Sequence, residues 1–386
     1  MAGRPLYFIL PHAYRRLVFL WCLALLLPGC IDAYVPEVIN SPTRFLVVEG
    51  FINSQGQTTI YLSRSVAIDS RQPAPKETGA AVSIEGEDFS RYNLQEASAG
   101  TYTSAHLTLN PALKYRLILT TSQGKAYASD FMPVQLTPAI ESVTYTPKPE
   151  GLEISVNTQD AQNATRYYRW EYEETWEIAP LLRPYLEYKR GQIQDIETPY
   201  PILCWRSEKS TDVNLAKTTN LVQDRVANHL IQSIPDTSEK LHRTYSILVK
   251  QYAQTKEEYS YWELLQKNTE NLGSIFDPLP VQLTGNLHGI TDEQEVVLGY
   301  IGIHSVAEKR IFITPSDIPR TWRTQSGYES CAIPDTVDFI DAWKIFGGPP
   351  VSFVPVGNAD GGYTFTTPAC VDCRLRGTNV KPDFWP

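Results

Sequence analysis

Six cysteines, six histidines and a run of carboxylates are the residues of this 386-residue chain that could do chemistry. Cys370-Val371-Asp372-Cys373 has the spacing of half a zinc site or of a redox pair. A structural zinc site needs a second cysteine or histidine pair, and here the other cysteines, Cys204 and Cys331, stand far apart in the chain. A thioredoxin-like pair needs a strand-to-helix setting, which the residues around Cys370 do not provide. Four cysteines in the body, Cys204, Cys331, Cys370 and Cys373, therefore read as two disulfides with three connectivities open. Long-range pairing is favoured over a local bridge. Short local bridges are strained and redox-active, and a bridge closing a long loop removes more entropy from the unfolded chain.

Glu171, Glu173, Glu174 and Glu177 crowd one segment. Glycoside hydrolysis uses two carboxylates at a fixed separation across a cleft, whereas acids on neighbouring strand positions read first as a solvated face. His106, His229, His242, His288 and His304 form no pair at ligand spacing, and no nucleophile elbow or phosphate loop is present. Asn358-Ala359-Asp360-Gly361-Gly362 begins like a calcium loop, but its twelfth position is Ala369 rather than Glu, so it reads as a turn. The expectation is a protein that is not an enzyme, with no catalytic residue, no metal and no cofactor.

Composition sets the frame for these residues. The chain is 42% hydrophobic and 11% aromatic with a formal charge of −9. That is too apolar and too weakly charged for a disordered chain, and too acidic for nucleic acid as its main partner. The N-terminus carries Arg4, Arg15 and Arg16 and then an uncharged apolar run, Leu17–Leu27. A spanning helix needs roughly 20 residues, so this shorter run reads as a secretory signal, residues 1–29. It ends Leu27-Pro28-Gly29-Cys30, which resembles a bacterial lipobox. The resemblance implies cleavage before Cys30 and lipidation of its sulfur. Acyl chains contribute ~0.8 kcal/mol per buried methylene and can hold a body at a membrane without a spanning helix. Loss of residues 1–29 removes three arginines and leaves a more acidic body. Residues 30–44, with Asp32 and Glu37, read as a lipid-anchored tether.

The body reads as mainly β. Residues 45–138 hold short alternating runs around Leu46–Glu49, Thr58–Leu62, Ala81–Ile84 and Tyr115–Leu119, separated by turn residues. They are expected to form an N-terminal immunoglobulin- or fibronectin-like β-sandwich. Pro133, Pro138, Pro147 and Pro149 mark a boundary, and residues 139–386 are expected to form a second, C-terminal β-rich sandwich domain. Within it, Tyr168, Trp170, Tyr172 and Trp176 share one parity of a strand whose other parity carries Arg169, Glu171, Glu173, Thr175 and Glu177. Pro180–His242 reads as a long insertion with little regular structure beyond short strands. Thr255 and Glu258 form a capping-box pair that opens one prominent helix over 256–272, closed at Leu272-Gly273. Phe384 and Trp385 are expected to clamp the disulfide-tied tail to the core. Flat aromatics are also the stacking surfaces of sugar-binding modules.

Several strings carry a further resemblance. They are "LVVEG" at Leu46, "YSILVKQYAQTKEEYSYWELLQKNTENLGSIFDPLPVQLTGN" from Tyr245 to Asn286, "VLGYIGI", "KRIFI", and the C-terminal Cys370–Cys373 and Gly377–Trp385 segments. With the lipobox, the chain resembles a Bacteroidota outer-membrane lipoprotein family, the domain of unknown function forty-two forty-nine. The resemblance implies an outer-membrane location through lipid on Cys30. It also implies an accessory role beside a TonB-dependent receptor in nutrient uptake. Asp32 beside Cys30 favours the cell-surface face. The alternative is a stand-alone surface glycan- or peptide-binding module. No nucleic acid is expected as a partner, and the family carries over no ligand-binding residue.

Overall fold

The computed structural model describes residues 44–66, 70, 72–270, 283, 285–331, 334–348 and 352–386. The signal segment 1–29, Cys30 and nearly all of the tether lie outside the described residues, as does the expected helix end at Leu272-Gly273. Phe45–Ser65 and Ala74–Pro386 form one compact unit; Met1–Arg44 with Val66–Pro73 form another, of which few residues are described.

Alternation of apolar and polar residues creates the first sheet. In β1 (Leu46–Asn53) and β2 (Gln57–Arg64), Leu46, Val48, Ile52, Ile60 and Leu62 turn inward while Glu49 and Tyr61 pair on the other face. β3 (Ala81–Gly86), β4 (Arg91–Ser98), β5 (Thr101–His106), β6 (Lys114–Thr120), β7 (Ala126–Ser129) and β8 (Met132–Pro133) follow. The path runs β7-β6-β3-β4-β5-β2-β1. β4 turns the sheet on itself, because Val82 to Glu85 of β3 meet its first half and Thr101 to Thr103 of β5 meet its second. Residues from both halves, among them Val82, Leu117, Ile60 and Tyr102, fill one core. At ~25 cal/mol per Å² of apolar surface removed from water, such layers supply most of the stabilisation.

β9 (Ile140–Lys148) and β10 (Gly151–Gln159) open the second layer system, followed by β11 (Tyr167–Ile178), β12 (Leu186–Lys189), β13 (Gln192–Asp195), β14 (Cys204–Lys209), β15 (Asn214–Lys217), β16 (Arg225–Pro235) and β17 (Tyr245–Ala253). Two sheets, β16-β10-β9 and one centred on β11 and β17, share a core of Leu152, Ile154, Val156, Tyr168, Trp170, Trp176, Ile247 and Val249. The insertion holds the short strands expected of it, and three of its strands, β14, β15 and β16, belong to the main sheets. β14 and β15 pair with successive halves of β11, and β16 completes the opposing sheet. Its polar composition hid this because these are edge strands with one wet face.

Helix α1 (Lys256–Glu270) starts where the capping pair placed it, with the Glu258 amide donating to Thr255 Oγ1 at 3.1 Å. After it the chain returns to the first sheet. β18 (Leu287–Gly289) pairs with β7, and β19 (Val297–Leu298) and β20 (Ile303–His304) run parallel to β1. At Gly299, φ is +128° and a Cβ would stand 2.0 Å from the Val48 carbonyl oxygen, so only glycine allows this approach. Ser305 alone separates β20 from β21 (Val306–Ile313), which joins β17 in the second system. Here the two crossings lie side by side: the Gln135 amide donates to Ile303 and the Ser305 amide to Gln135. A further small sheet of β22 (Asp335–Asp338), β23 (Val354–Ala359) and β24 (Gly362–Thr366) packs with the short helix Ala342–Phe346 around Phe346 and Phe365.

The tail is tied twice. Cys204 is bonded to Cys373 and Cys331 to Cys370, so pairing is long-range and Cys370-Val371-Asp372-Cys373 holds no internal bridge. Trp205 and Thr378 exchange backbone hydrogen bonds of 2.8 and 2.9 Å, which covers the outer edge of β14. Trp385 is buried against Trp205 and Phe312, and Phe384 lies under the Arg310 guanidinium. The terminal aromatics thus act as the expected clamp. The Cys204–Cys373 bond spans 169 residues and the other 39. Replacing either pair by serines should lower the unfolding free energy by roughly 2–4 kcal/mol, with the longer loop costing about 1 kcal/mol more. Guanidinium unfolding of the two double variants reads this directly, and a larger loss for Cys331/Cys370 would reverse the expectation.

Candidate functional site

The acidic strand was the sequence's clearest candidate for chemistry, and β11 spends all four of its acids on its own scaffold. Glu171 bonds the Arg169 guanidinium and accepts from the Tyr252 hydroxyl at 2.8 Å. Glu173 accepts from Lys250 at 2.8 Å. Glu174 falls on the apolar parity and is 3% exposed, held by Lys240 at 2.6 Å and the Tyr245 hydroxyl at 2.7 Å. Glu177 accepts from the Trp385 indole at 3.1 Å and lies 3.5 Å from Arg243. The face is thus ion-paired rather than merely solvated.

Arg169 is buried although it sits on the polar parity. Its guanidinium lies 4.5 Å from the centroid of Tyr252 and 4.2 Å from that of Trp262, a cation between two aromatic faces. Burial would push the Glu171 carboxyl up, but Arg169 and Tyr252 more than offset it and hold the carboxyl below the usual range. Burial together with the Glu171 charge pushes the Tyr252 phenol up.

Beyond Tyr252 lies a second polar group. His304, fully buried, stacks on Phe51 at 4.4 Å, with its Nε2 3.4 Å from Glu258 Oε1. The Gln254 amide donates to the same oxygen at 3.2 Å. Glu258 therefore keeps only half of its capping-box role; its carboxylate turns inward, where a Cβ on Gly302 would stand 2.4 Å away. An acid beside a histidine can move protons, but only where a substrate reaches it, and this pair is closed off from solvent. Nothing in the sequence separated His304 from the other histidines except its place in a strand-like run. His229 packs on Trp170, and burial pushes it down. His288 meets Asp130 at the surface, and His242 meets Thr324.

The four cysteines are spent on disulfides, and among the described residues no group of three or more His, Cys, Asp or Glu could hold a metal ion. Asn358–Gly362 is the hairpin turn between β23 and β24, with Gly361 at φ +75°. Among the described residues no helix is long and apolar enough to cross a membrane.

Two surface features were not legible in the sequence. Phe339, Ile340 and Trp343 are exposed together after β22, with Phe339 edge-on to Tyr363 at 4.9 Å. Beside the disulfides lies a pocket of about 150 Å³, walled by Pro180, Leu182, Pro184, Pro199, Pro201, Ile202 and Val371, with Arg183 and Tyr200 as its polar members. Its walls come from two segments, Pro180–Pro184 and Pro199–Ile202, brought to Val371 by the clasp. Cys373 Sγ lies 3.6 Å from the Pro201 carbonyl oxygen.

A family model described as "Domain of unknown function (DUF4249)" matches residues 31–310. No curated protein matches the chain. Among solved structures, a DUF4785 family protein from Legionella pneumophila is similar at 8% identity and a TM-score of 0.20, covering 53% of this chain and 51% of that one. A pullulanase from Anoxybacillus sp. in complex with maltotriose is similar at 11% identity and a TM-score of 0.16, over 50% of this chain and 26% of its own. A chitinase from Bacillus thuringiensis is similar at 11% identity and a TM-score of 0.14, over 46% and 29%. The chain spans about half the length of the Legionella protein.

The Arg169–Glu171 pair has a pH signature. A carboxyl whose folded pKa is depressed contributes stability that is complete above its unfolded value, about 4.3, and is lost as pH falls through the folded value. Glu171→Gln should therefore flatten the acid limb of the stability profile below about pH 4, and parallel limbs for variant and parent would contradict the pairing. Arg169→Met should cost about 1 kcal/mol through the ion pair at neutral pH, because Glu171 is partly exposed and keeps the Tyr252 hydroxyl as a donor. Urea midpoints at a series of pH values measure both.

Proposed function

The chain belongs to the family described as a domain of unknown function, DUF4249, and from that premise we propose that it is a non-enzymatic, lipid-anchored body exported to the outer membrane. The observation that carries this reading is the pair of long-range disulfides in the folded body. Such bonds form and persist in oxidising compartments, which agrees with the secretory segment and the Leu27-Pro28-Gly29-Cys30 sequence ahead of the body. Lipid on Cys30 then supplies the attachment, with the cell-surface face favoured. The spent acids of β11 and the closed Glu258–His304 pair support a role in binding rather than in catalysis. In this reading the body is accessory to a TonB-dependent receptor in nutrient uptake. Its two large layer systems are immunoglobulin- or fibronectin-like sandwiches, the second carrying α1.

A second reading, a stand-alone surface glycan- or peptide-binding module, is favoured by the exposed Phe339, Ile340 and Trp343. Exposed flat aromatics serve both sugar faces and peptide side chains.

The parent chain should fractionate with membranes and begin at a lipid-modified Cys30 by mass spectrometry, and Cys30→Ala should release the body in soluble form. A Cys30→Ala chain that stays with the membrane overturns the anchor. Detergent extraction and pull-down of the parent should recover a TonB-dependent receptor, and recovery of none overturns the partner. Glycan-array binding lost in Trp343→Ala would instead support the second reading.

A further inference from the structure

We propose that the proline-walled pocket beside the clasp is a binding site for an aromatic ring that carries a carboxylate on a short spacer. This inference goes beyond the anchored-body reading and does not depend on the receptor.

Three observations carry it. The first is size and lining. An apolar cavity of ~150 Å³ holds one benzene-sized ring, and this pocket has about that volume. Its surface is mostly the flat faces of Pro180, Pro184, Pro199 and Pro201 with Leu182, Ile202 and Val371. Proline has a fixed φ, so these walls are set before a ligand arrives and little ordering entropy is lost on binding.

The second is rigidity of the floor. Val371 lies between two disulfide-bonded cysteines and is 1% exposed. The Pro199–Ile202 wall runs straight into Cys204, whose bond to Cys373 fixes it against that floor. One wall and the floor are thus fixed by covalent ties, and the Pro180–Pro184 wall leads into the hydrogen-bonded β12–β13 hairpin.

The third is charge. Arg183 is exposed, lines the pocket, and has no hydrogen-bond or ion-pair partner among the described residues. Its neighbours at the clasp are different. Arg374 is bound to Asp372 by two hydrogen bonds of 2.8 Å, so that guanidinium is already engaged. Tyr200 also lines the pocket and makes no hydrogen bond among the described residues. Burial, helped by Asp372, pushes its phenol up, so it remains an uncharged hydroxyl able to donate. An unpaired guanidinium and an unpaired hydroxyl among the residues lining an apolar pocket match a carboxylate, which guanidinium binds in a two-pronged geometry. Such a group could be a free aromatic acid or the C-terminal residue of a peptide; the chemistry is shared.

The test uses the chain carrying Cys30→Ala and ligand titration followed by NMR or calorimetry. The probes are 3-phenylpropionate, its neutral amide, propionate, and a peptide ending in Phe with a free or an amidated C-terminus. Saturable binding of 3-phenylpropionate is expected, with the amide and propionate much weaker. Arg183→Gln should weaken the carboxylate probes by about tenfold and leave the amide unchanged. Ile202→Trp, at an exposed wall position, should fill the pocket and abolish binding, with thermal melting showing both variants folded. Tighter binding of the free-ended peptide than of its amidated form and of 3-phenylpropionate identifies a peptide terminus as the source; the reverse order identifies a free acid. Absence of saturable binding, or equal binding by the parent and both variants, overturns the site.

Discussion

A carboxylate taken out of water costs several kcal/mol unless a cation and hydrogen bonds meet it, and β11 carries four acids, of which Glu174 is buried and Glu177 nearly so while Glu171 and Glu173 stay partly exposed. Much of the surrounding architecture answers that cost. Lys240 and Arg243 reach Glu174 and Glu177 from the segment between β16 and β17. Lys250 comes from the paired strand β17, and the indole of Trp385 comes from the end of the chain. Arg169 is supplied by β11 itself and is held flat by Tyr252 and Trp262, which ties helix α1 to the sheet. The strand is therefore a hub through which insertion, helix and tail are all fixed.

This explains why an acid-rich strand need not be a catalytic one. Each acid already has donors, and a side chain with satisfied lone pairs has little left for a substrate. The same logic separates the two arginines at the clasp. Arg374 is consumed by Asp372, while Arg183 is not consumed by anything among the described residues.

Local features were legible in the sequence and distant ones were not. The period-two alternation of Tyr168, Trp170, Tyr172 and Trp176 placed β11 and its buried face correctly. Thr255 placed the start of α1. Both signals are complete within a few residues. Long-range disulfide pairing could be argued from the strain of a local bridge, but the choice of Cys373 for Cys204 depends on where the tail lies. The length of β16 was not legible because its pattern, with Val226, Ile231 and Ile234 buried among exposed polar residues, is broken by shifts in register against β10. The pocket was invisible because its two proline-bearing wall segments are joined by the β12–β13 hairpin and meet Val371 of the distant tail only in the folded chain.

The return of residues 287–304 to the first sheet has a consequence for how the chain reaches its fold. β1 is among the first described residues to emerge from any exit, and its outer edge is met only by β19 and β20. Until those residues arrive, that edge is an open template for another strand, and the first core lacks Leu287, Val297, Ile301 and Ile303. The contacts that finish the earliest sheet thus join distant parts of the chain, a topology that slows folding. As the chain is synthesised from its N-terminus, the first sheet therefore stays unfinished until residues 287–304 are available to it.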